Sequence, residues 1–235
     1  YRGELAERIV KGNQMLGGLF TLDDLASYKP RWNDPISITY RGYQVYTAPP
    51  NSTGFQVLQT LKLMEGFHGD ELTPGDPETL HLLMESVKLC VTDRTVYAGD
   101  PDHVRIPLNR LLSENYSKIQ RTRINRESAS WVVGEHYVAR KPRGSLAPGS
   151  LEEFDGGMTT HFAVADRDGN VVTVTQTLGG AFGCAAAVGD TGIFLNNMNH
   201  WFDLEVGSPN RIGLGKRVGF CLSPTQTLKN GRFYA

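Results

Sequence analysis

Two adjacent threonines, Thr159 and Thr160, follow a Gly156-Gly157-Met158 lead-in, and a third, Thr177, closes a later run of alternating residues. Between them lies the polar stretch Asp166-Arg167-Asp168-Gly169-Asn170, so the pattern is a β-hairpin with an Asp-Gly turn. With the turn centred on Asp168 and Gly169, Thr160 falls opposite Thr177 with Thr159 beside them, and three hydroxyls gather at the open end. A threonine hydroxyl is a weak nucleophile until a base takes its proton. A threonine made N-terminal by cleavage carries such a base, its own α-amine. The chemistry available is then attack on an amide carbonyl through an acyl-threonine. Threonine also suits strands simply because its β-branch packs well on a pleated surface. On spacing alone, a catalytic and a packing reading both stand.

The elements that must position this hairpin are legible upstream. Residues 3–10 read as a helix, and Thr21 with Asp24 three residues later is the acidic form of a capping box. It opens a short helix ending near Tyr28-Lys29-Pro30. Ile36, Ile38 and Tyr40 alternate, as do Tyr43 and Val45, around Arg41-Gly42, which predicts a second hairpin. The loop Pro49-Pro50-Asn51-Ser52-Thr53-Gly54 lacks the Gly-Lys-Ser/Thr ending of a phosphate-binding loop and reads as a structural turn. The helix after it places Val57, Leu58, Leu61 and Met64 on one side. Asp76 suits an N-cap and Pro77 the first helical position, and Leu80, Leu83, Met84, Val87 and Val91 follow the helical period. Pro107 opens a further helix with Leu108, Leu111, Leu112 and Ile119 turned inward, and Arg121, Arg123 and Arg126 read as its solvated end. From about Asn125 to Gly157 periodicity fades. Arg140–Ser145 reads as an exposed, mobile linker delivering loose chain to the Met158–Thr159 bond. Beyond Thr177 the chain is glycine-rich and β-like.

Composition narrows the class. The 235 residues are 40% apolar, enough for one sizeable core or two modest ones, and a net charge of −1 lacks the basic excess of a nucleic-acid binder. No run approaches the roughly 18 apolar residues of a membrane helix. Cys90, Cys184 and Cys221 are odd in number and widely spaced, and His81, His103 and His136 show no ligand spacing, so neither a disulfide framework nor a metal site is expected. The compartment stays open. The chain starts inside a helical pattern and stops after a strand-like start, as a piece of a longer protein would.

Several motifs in one order carry a resemblance. Thr159-Thr160-His161-Phe162, the hairpin, Gly189-Asp190-Thr191-Gly192-Ile193, Leu195-Asn196-Asn197, Gly207-Ser208-Pro209-Asn210 and Leu222-Ser223-Pro224-Thr225 occur in the order seen in γ-glutamyltransferases, which are N-terminal-nucleophile hydrolases. The resemblance implies an α+β fold, a four-layer αββα sandwich. It divides the chain into residues 1–158, the end of a large-subunit-like segment, and 159–235, the start of a small-subunit-like one. It implies self-cleavage of the Met158–Thr159 bond, Thr159 as nucleophile, and Thr177 as the residue bonding its hydroxyl. The two fragments then stay associated, the substrate is a small-molecule γ-glutamyl or related amide, no cofactor is needed, and a secreted or periplasmic location fits. Gly189, Asn196 and Asn197 match the family's glycine and paired asparagines, residues that serve a site or anchor turns equally well.

The departures bear on specificity. Gly179 stands where the family usually has an asparagine, and Trp201 where its aspartate holds the substrate's α-amino group. Asp203, two positions on, would face the same side of a strand and partly replace it. Phe220 and Cys221 stand at the two serines that hold the substrate carboxylate. A site that loses polar partners for a charged head group loses affinity for it. The expectation is an acylase machinery with weakened γ-glutamyl preference, suited to less polar acyl groups as in cephalosporin-acylase-like members; a non-catalytic member is the third reading. By the same resemblance, a carboxylate-gripping arginine belongs before Tyr1 and a Gly-Gly oxyanion loop after Ala235.

Overall fold

The computed structural model describes residues 1–133, 136–138 and 159–235; the linker and Met158 lie outside the described residues. Two compact units emerge, each drawing on chain from both sides of the 158–159 bond.

The first unit comprises, among the described residues, 1–33, 159–160 and 176–200. Helix α1 (Glu4–Met15) carries Glu4 and Glu7 in its first turn, where negative charge meets the positive end of the helix dipole, and it buries Ala6, Val10, Gly12 and Asn13. Gly12 is required there: a Cβ would lie 2.5 Å from the backbone nitrogen of Gly189, so only glycine lets α1 touch that segment. Helix α2 (Leu22–Ser27) has the expected capping box, with Thr21 Oγ1 accepting the Asp24 N–H at 3.1 Å and Asp24 accepting the Thr21 N–H at 2.8 Å.

The second unit is built on strands β1 (Ile36–Tyr40) and β2 (Tyr43–Thr47), joined by Arg41 and Gly42, both at positive φ as the tight turn of a twisted hairpin requires. Later strands β7 (Thr225–Lys229) and β8 (Arg232–Phe233) extend them into an antiparallel sheet of order β1-β2-β7-β8, in which Val45 pairs with Ile38 on one side and Thr227 on the other. Helix α3 (Gly54–Glu65) covers this sheet by placing Leu58 against Ile38 and Val45. Helix α4 (Pro77–Tyr97) packs along α3, with Asp76 Oδ2 accepting the Glu78 and Thr79 N–H groups as its N-cap. Short helices α5 (Leu108–Leu111) and α6 (Glu114–Arg121) follow, then strands β3 (Trp131–Val133) and β4 (His136–Val138), which pair with each other.

Helices α1 to α4 start where the sequence implies, but several of their faces differ. In α3 the buried set is Phe55, Leu58, Gln59, Leu63 and Met64, while Val57 is exposed. In α4 the periodic Leu80, Leu83 and Met84 are exposed, and Leu82, Glu85, Ser86, Leu89, Cys90 and Asp93 are buried. The buried stripe is partly polar because its polar groups are partnered. Asp93 accepts from Tyr116 Oη at 2.9 Å and from the Gln59 and Gln120 side-chain amides, and burial raises its carboxyl above the usual range. The single helix expected after Pro107 is two, because Ser113 caps α6 by accepting the Tyr116 N–H, and Ile119 is exposed. Of the arginines after it, Arg123 and Arg126 are exposed as expected, Arg121 is half-buried, and all three bond neighbouring groups. Arg121 donates to the carbonyls of Lys62 and Leu63, Arg123 to Gln120, and Arg126 to Glu71 and Glu78.

Candidate active site

Strands β5 (Thr159–Ala165) and β6 (Val171–Thr177) form the expected hairpin. Its turn is organised by Asp166, whose carboxylate accepts from the Asn170 side chain at 2.8 Å and from the Asn170 and Asp168 N–H groups at 2.9 Å. These bonds, that from the Asn170 side chain foremost, hold its carboxyl below the usual range. The Asp166 N–H donates to the Asn170 carbonyl at 3.0 Å, and His161 Nδ1 meets Thr175 Oγ1 at 2.6 Å. Both are cross-strand pairs of one register, and counted along it Thr159 stands across from Thr177. The expectation of Thr160 opposite Thr177 is therefore off by one. The loop is three residues, Arg167 to Gly169, with Gly169 at φ 85°, rather than a two-residue Asp-Gly turn. Because strand side chains alternate, Thr159 and Thr177 share a face and Thr160 points to the other.

Thr177 Oγ1 accepts the Gly179 N–H at 2.8 Å, which directs its own proton away from that side. Gly179 sits at φ 91°, and a Cβ there would lie 1.9 Å from Asn197 Oδ1. That oxygen accepts the Gly180 N–H at 3.0 Å, and the Asn197 N–H donates to the Leu178 carbonyl at 3.0 Å. Asn197 therefore clasps the segment leaving β6, and Gly179 is glycine because the clasp fills the space of its side chain. Asn196 Oδ1 accepts the Met198 N–H at 3.0 Å and shapes the next turn. Gly189, at φ 54°, lies against Gly12.

Trp201, Asp203, Phe220 and Cys221 come together in the second unit, around a cavity of about 270 Å³ that Thr53 and Arg94 also line. The Pro49–Gly54 loop shapes its wall. The Thr53 N–H donates to the Phe220 carbonyl at 2.9 Å, the Phe220 N–H to Asn51 at 3.1 Å, and Ser52 Oγ to the Leu222 carbonyl at 2.6 Å. Asn210 ties two walls together, donating to the Trp201 carbonyl at 2.7 Å and accepting the Gly219 N–H at 2.7 Å. Beside these, Arg217 bonds buried Asp100 at 2.6 Å through its guanidinium and at 2.8 Å through its backbone N–H. Asp203 accepts from Ser208 Oγ at 2.6 Å. Thr53, Arg94 and Asn210 were missed as pocket residues by sequence reasoning. For Asn210 a signal existed in the Pro209-Asn210 motif; for Thr53 and Arg94 none did, since a loop and a distant helix meet only in the folded chain.

Among the described residues no group of three or more His, Cys, Asp or Glu side chains is placed to hold a metal, and no helix is long and apolar enough to cross a membrane. Cys90 is buried, which pushes its thiol up to about 12 and keeps it unreactive.

A profile of the gamma-glutamyltranspeptidase family matches residues 1–235. The glutathione hydrolase proenzyme of Escherichia coli K12 is 37% identical, over 99% of this chain and 40% of its own length. The acylase ACY 1 proenzyme of Pseudomonas sp. SE83 is 35% identical, over 99% of this chain and 39% of its own. Among solved structures, cephalosporin acylase from Bacillus halodurans superposes with a TM-score of 0.81 at 31% identity, covering 99% of this chain and 39% of that one. The chain thus spans about two fifths of the length of the relatives it matches, and its fold class is the α+β class of N-terminal-nucleophile hydrolases.

Proposed function

The chain belongs to the γ-glutamyltranspeptidase family, and from that premise we propose that it is the central part of a self-processing amidohydrolase or acyltransferase with Thr159 as nucleophile. In the precursor, Thr159 Oγ attacks the Met158 carbonyl carbon, the C–N bond breaks, and the α-nitrogen takes the proton. Water hydrolyses the resulting ester, leaving Met158 with a carboxylate and Thr159 with a free amine. In turnover that amine, titrating near pH ~8, takes the proton from its own hydroxyl as Oγ attacks the substrate amide. The leaving amine carries a proton away, and water or an acceptor amine releases the acyl group.

The observation that carries this reading is the hairpin register. It sets Thr159 across from Thr177 on one face of the hairpin, where the Gly179 N–H holds the Thr177 hydroxyl oxygen in place. The proenzyme names of the two relatives support cleavage followed by association of the halves; the reading puts the boundary between residues 158 and 159. Trp201, Phe220 and Cys221 around the second unit's cavity favour a less polar acyl group than γ-glutamyl, the acylase side of the family.

The test is an intact-mass spectrum of the full-length protein after incubation near pH 8, beside Thr159→Ala. A fragment beginning at Thr159, absent from the variant, is the expected result. One uncut species in both would turn the assignment to a non-catalytic member.

A further inference from the structure

The chain that leaves β6 at Thr177 comes back to it at Asn197, and the whole circuit lies within the first unit, as does Thr159. Its two arms hold each other. The Cys184 N–H donates to the Leu195 carbonyl at 2.9 Å, the Leu195 N–H to the Ala186 carbonyl at 3.1 Å and the Val188 N–H to the Ile193 carbonyl at 2.9 Å. The tip is tied to α1, where Arg8 Nε donates to Asp190 Oδ1 at 3.0 Å. Asn197 closes the base. Its backbone N–H donates to the Leu178 carbonyl and its Oδ1 accepts the Gly180 N–H, both at 3.0 Å. The Leu178 carbonyl and the Gly179 N–H belong to one peptide group, which is planar, so a bond to one end orients the other. That other end is the N–H donated to the Thr177 hydroxyl oxygen. The Gly180 N–H belongs to the next peptide group. Asn197 therefore grips the planes on both sides of Gly179, a residue at φ 91° whose backbone is the freest to swing. The Asn197 side-chain N–H2 has no partner among the described residues, so the oxygen is the end in use. Asn196 differs: its Oδ1 accepts the Met198 N–H and serves a turn of its own.

We propose that Asn197 is a positioning residue for Thr177. By pinning both peptide planes at Gly179 it holds the Gly179 N–H on the Thr177 oxygen, and so fixes the side-chain rotamer of Thr177 across the hairpin from Thr159. The inference rests on the amidohydrolase reading and deepens it, because it gives Asn197 a part in alignment and none in contact with substrate. A hydroxyl nucleophile gains from a neighbouring hydroxyl only when the two are aligned, and a small misplacement costs rate. The working atom is the acceptor oxygen. Aspartate sets such an oxygen at the same reach and should serve. Alanine leaves the Gly180 N–H to water and Gly179 free to swing.

The experiment uses the full-length protein and follows cleavage of the Met158–Thr159 bond by intact mass. Asn197→Ala is expected to slow cleavage by tenfold or more, and Asn197→Asp to stay within about threefold of wild type. Val10→Ala, which thins the buried packing of α1 in the same unit, measures what lost stability alone does and should slow cleavage far less than Asn197→Ala. An Asn197→Asp variant as slow as Asn197→Ala would move the role to the side-chain N–H2 and overturn the proposal. So would an Asn197→Ala variant no slower than Val10→Ala. If Asn197→Ala does not fold, Asn197→Ser, whose hydroxyl is too short to reach Gly180, takes its place. A second measurement needs no cleavage: amide hydrogen exchange in the uncut Thr159→Ala chain. Adding Asn197→Ala there should speed exchange of the Gly179 N–H by tenfold or more, along with that of Gly180, because Gly179 loses its alignment with Thr177. Faster exchange at Gly180 with Gly179 unchanged overturns the proposal. A wild-type protein that stays uncut would count against the amidohydrolase reading instead, and the exchange result then decides the placement of Thr177 by itself.

Discussion

Thr177 and Gly179 are joined by a 2.8 Å hydrogen bond in which the Gly179 N–H donates to the Thr177 hydroxyl oxygen. The bond fixes where the remaining lone pair and the hydroxyl proton of Thr177 can point. Thr177→Val keeps the shape and removes the hydroxyl, so it separates packing from hydrogen bonding. A bond to a developing charge is worth ~1.5–3 kcal/mol, and Thr177→Val is expected to slow both self-cleavage and turnover by roughly 10- to 100-fold. The cleavage time course followed by mass, with turnover measured on the processed fraction, checks this.

Gly179→Asn would install the residue typical of the family, yet it should destabilise this chain. The new Cβ meets Asn197 Oδ1 at 1.9 Å, and φ is 91°. Strain of this kind costs of order 1–3 kcal/mol. A melting temperature lowered by several degrees is expected, with no gain in γ-glutamyl turnover.

The Asp100–Arg217 pair predicts a pH dependence. Burial raises the Asp100 carboxyl, but the Arg217 backbone and side-chain bonds and the Asp102 N–H outweigh it and leave the carboxyl below its ordinary value of 3.8. A carboxyl lowered in the native state adds stability above that ordinary value and loses it as pH falls through the native one. Arg217→Gln leaves a buried charge unpaired and is expected to cost about 3–5 kcal/mol at neutral pH. The difference from wild type should narrow as pH falls, because without Arg217 burial favours the neutral carboxyl and Asp100 protonates in the variant before it does in wild type. Urea denaturation across that range reads it directly.

Pocket polarity gives a reciprocal prediction. Trp201→Asp with Phe220→Ser and Cys221→Ser replaces the apolar lining with the polar anchors typical of the family. The ratio of γ-glutamyl to pentanoyl anilide kcat/KM should rise by tenfold or more, because a buried polar site discriminates strongly against a group that leaves it unpaired.

What the sequence made legible was local. The capping box of Thr21 and Asp24, the Asp76-Pro77 start of α4 and the Arg41-Gly42 turn depend on a few neighbouring residues, and all are found as expected. The buried face of α4 was not legible, because Glu85, Ser86 and Asp93 look like surface residues until Lys88 meets Glu85, the Met64 sulfur meets Ser86, and Tyr116, Gln59 and Gln120 meet Asp93. The hairpin was legible and its register was not: one additional loop residue exchanges the roles of Thr159 and Thr160. Trp201, Phe220 and Cys221 were singled out only through family motifs. Their sharing of a wall with Thr53 and Arg94 depends on contacts far apart in the chain.

The ladder between β2 and β7, which pairs Thr47 with Thr225 and Val45 with Thr227, spans the 158–159 bond. Once that bond is cut, the four-stranded sheet is shared by two polypeptides, β1 and β2 on one and β7 and β8 on the other. Its unfolding then becomes a dissociation governed by mass action. The melting temperature of the processed protein should climb with protein concentration, while that of the uncut Thr159→Ala chain should not.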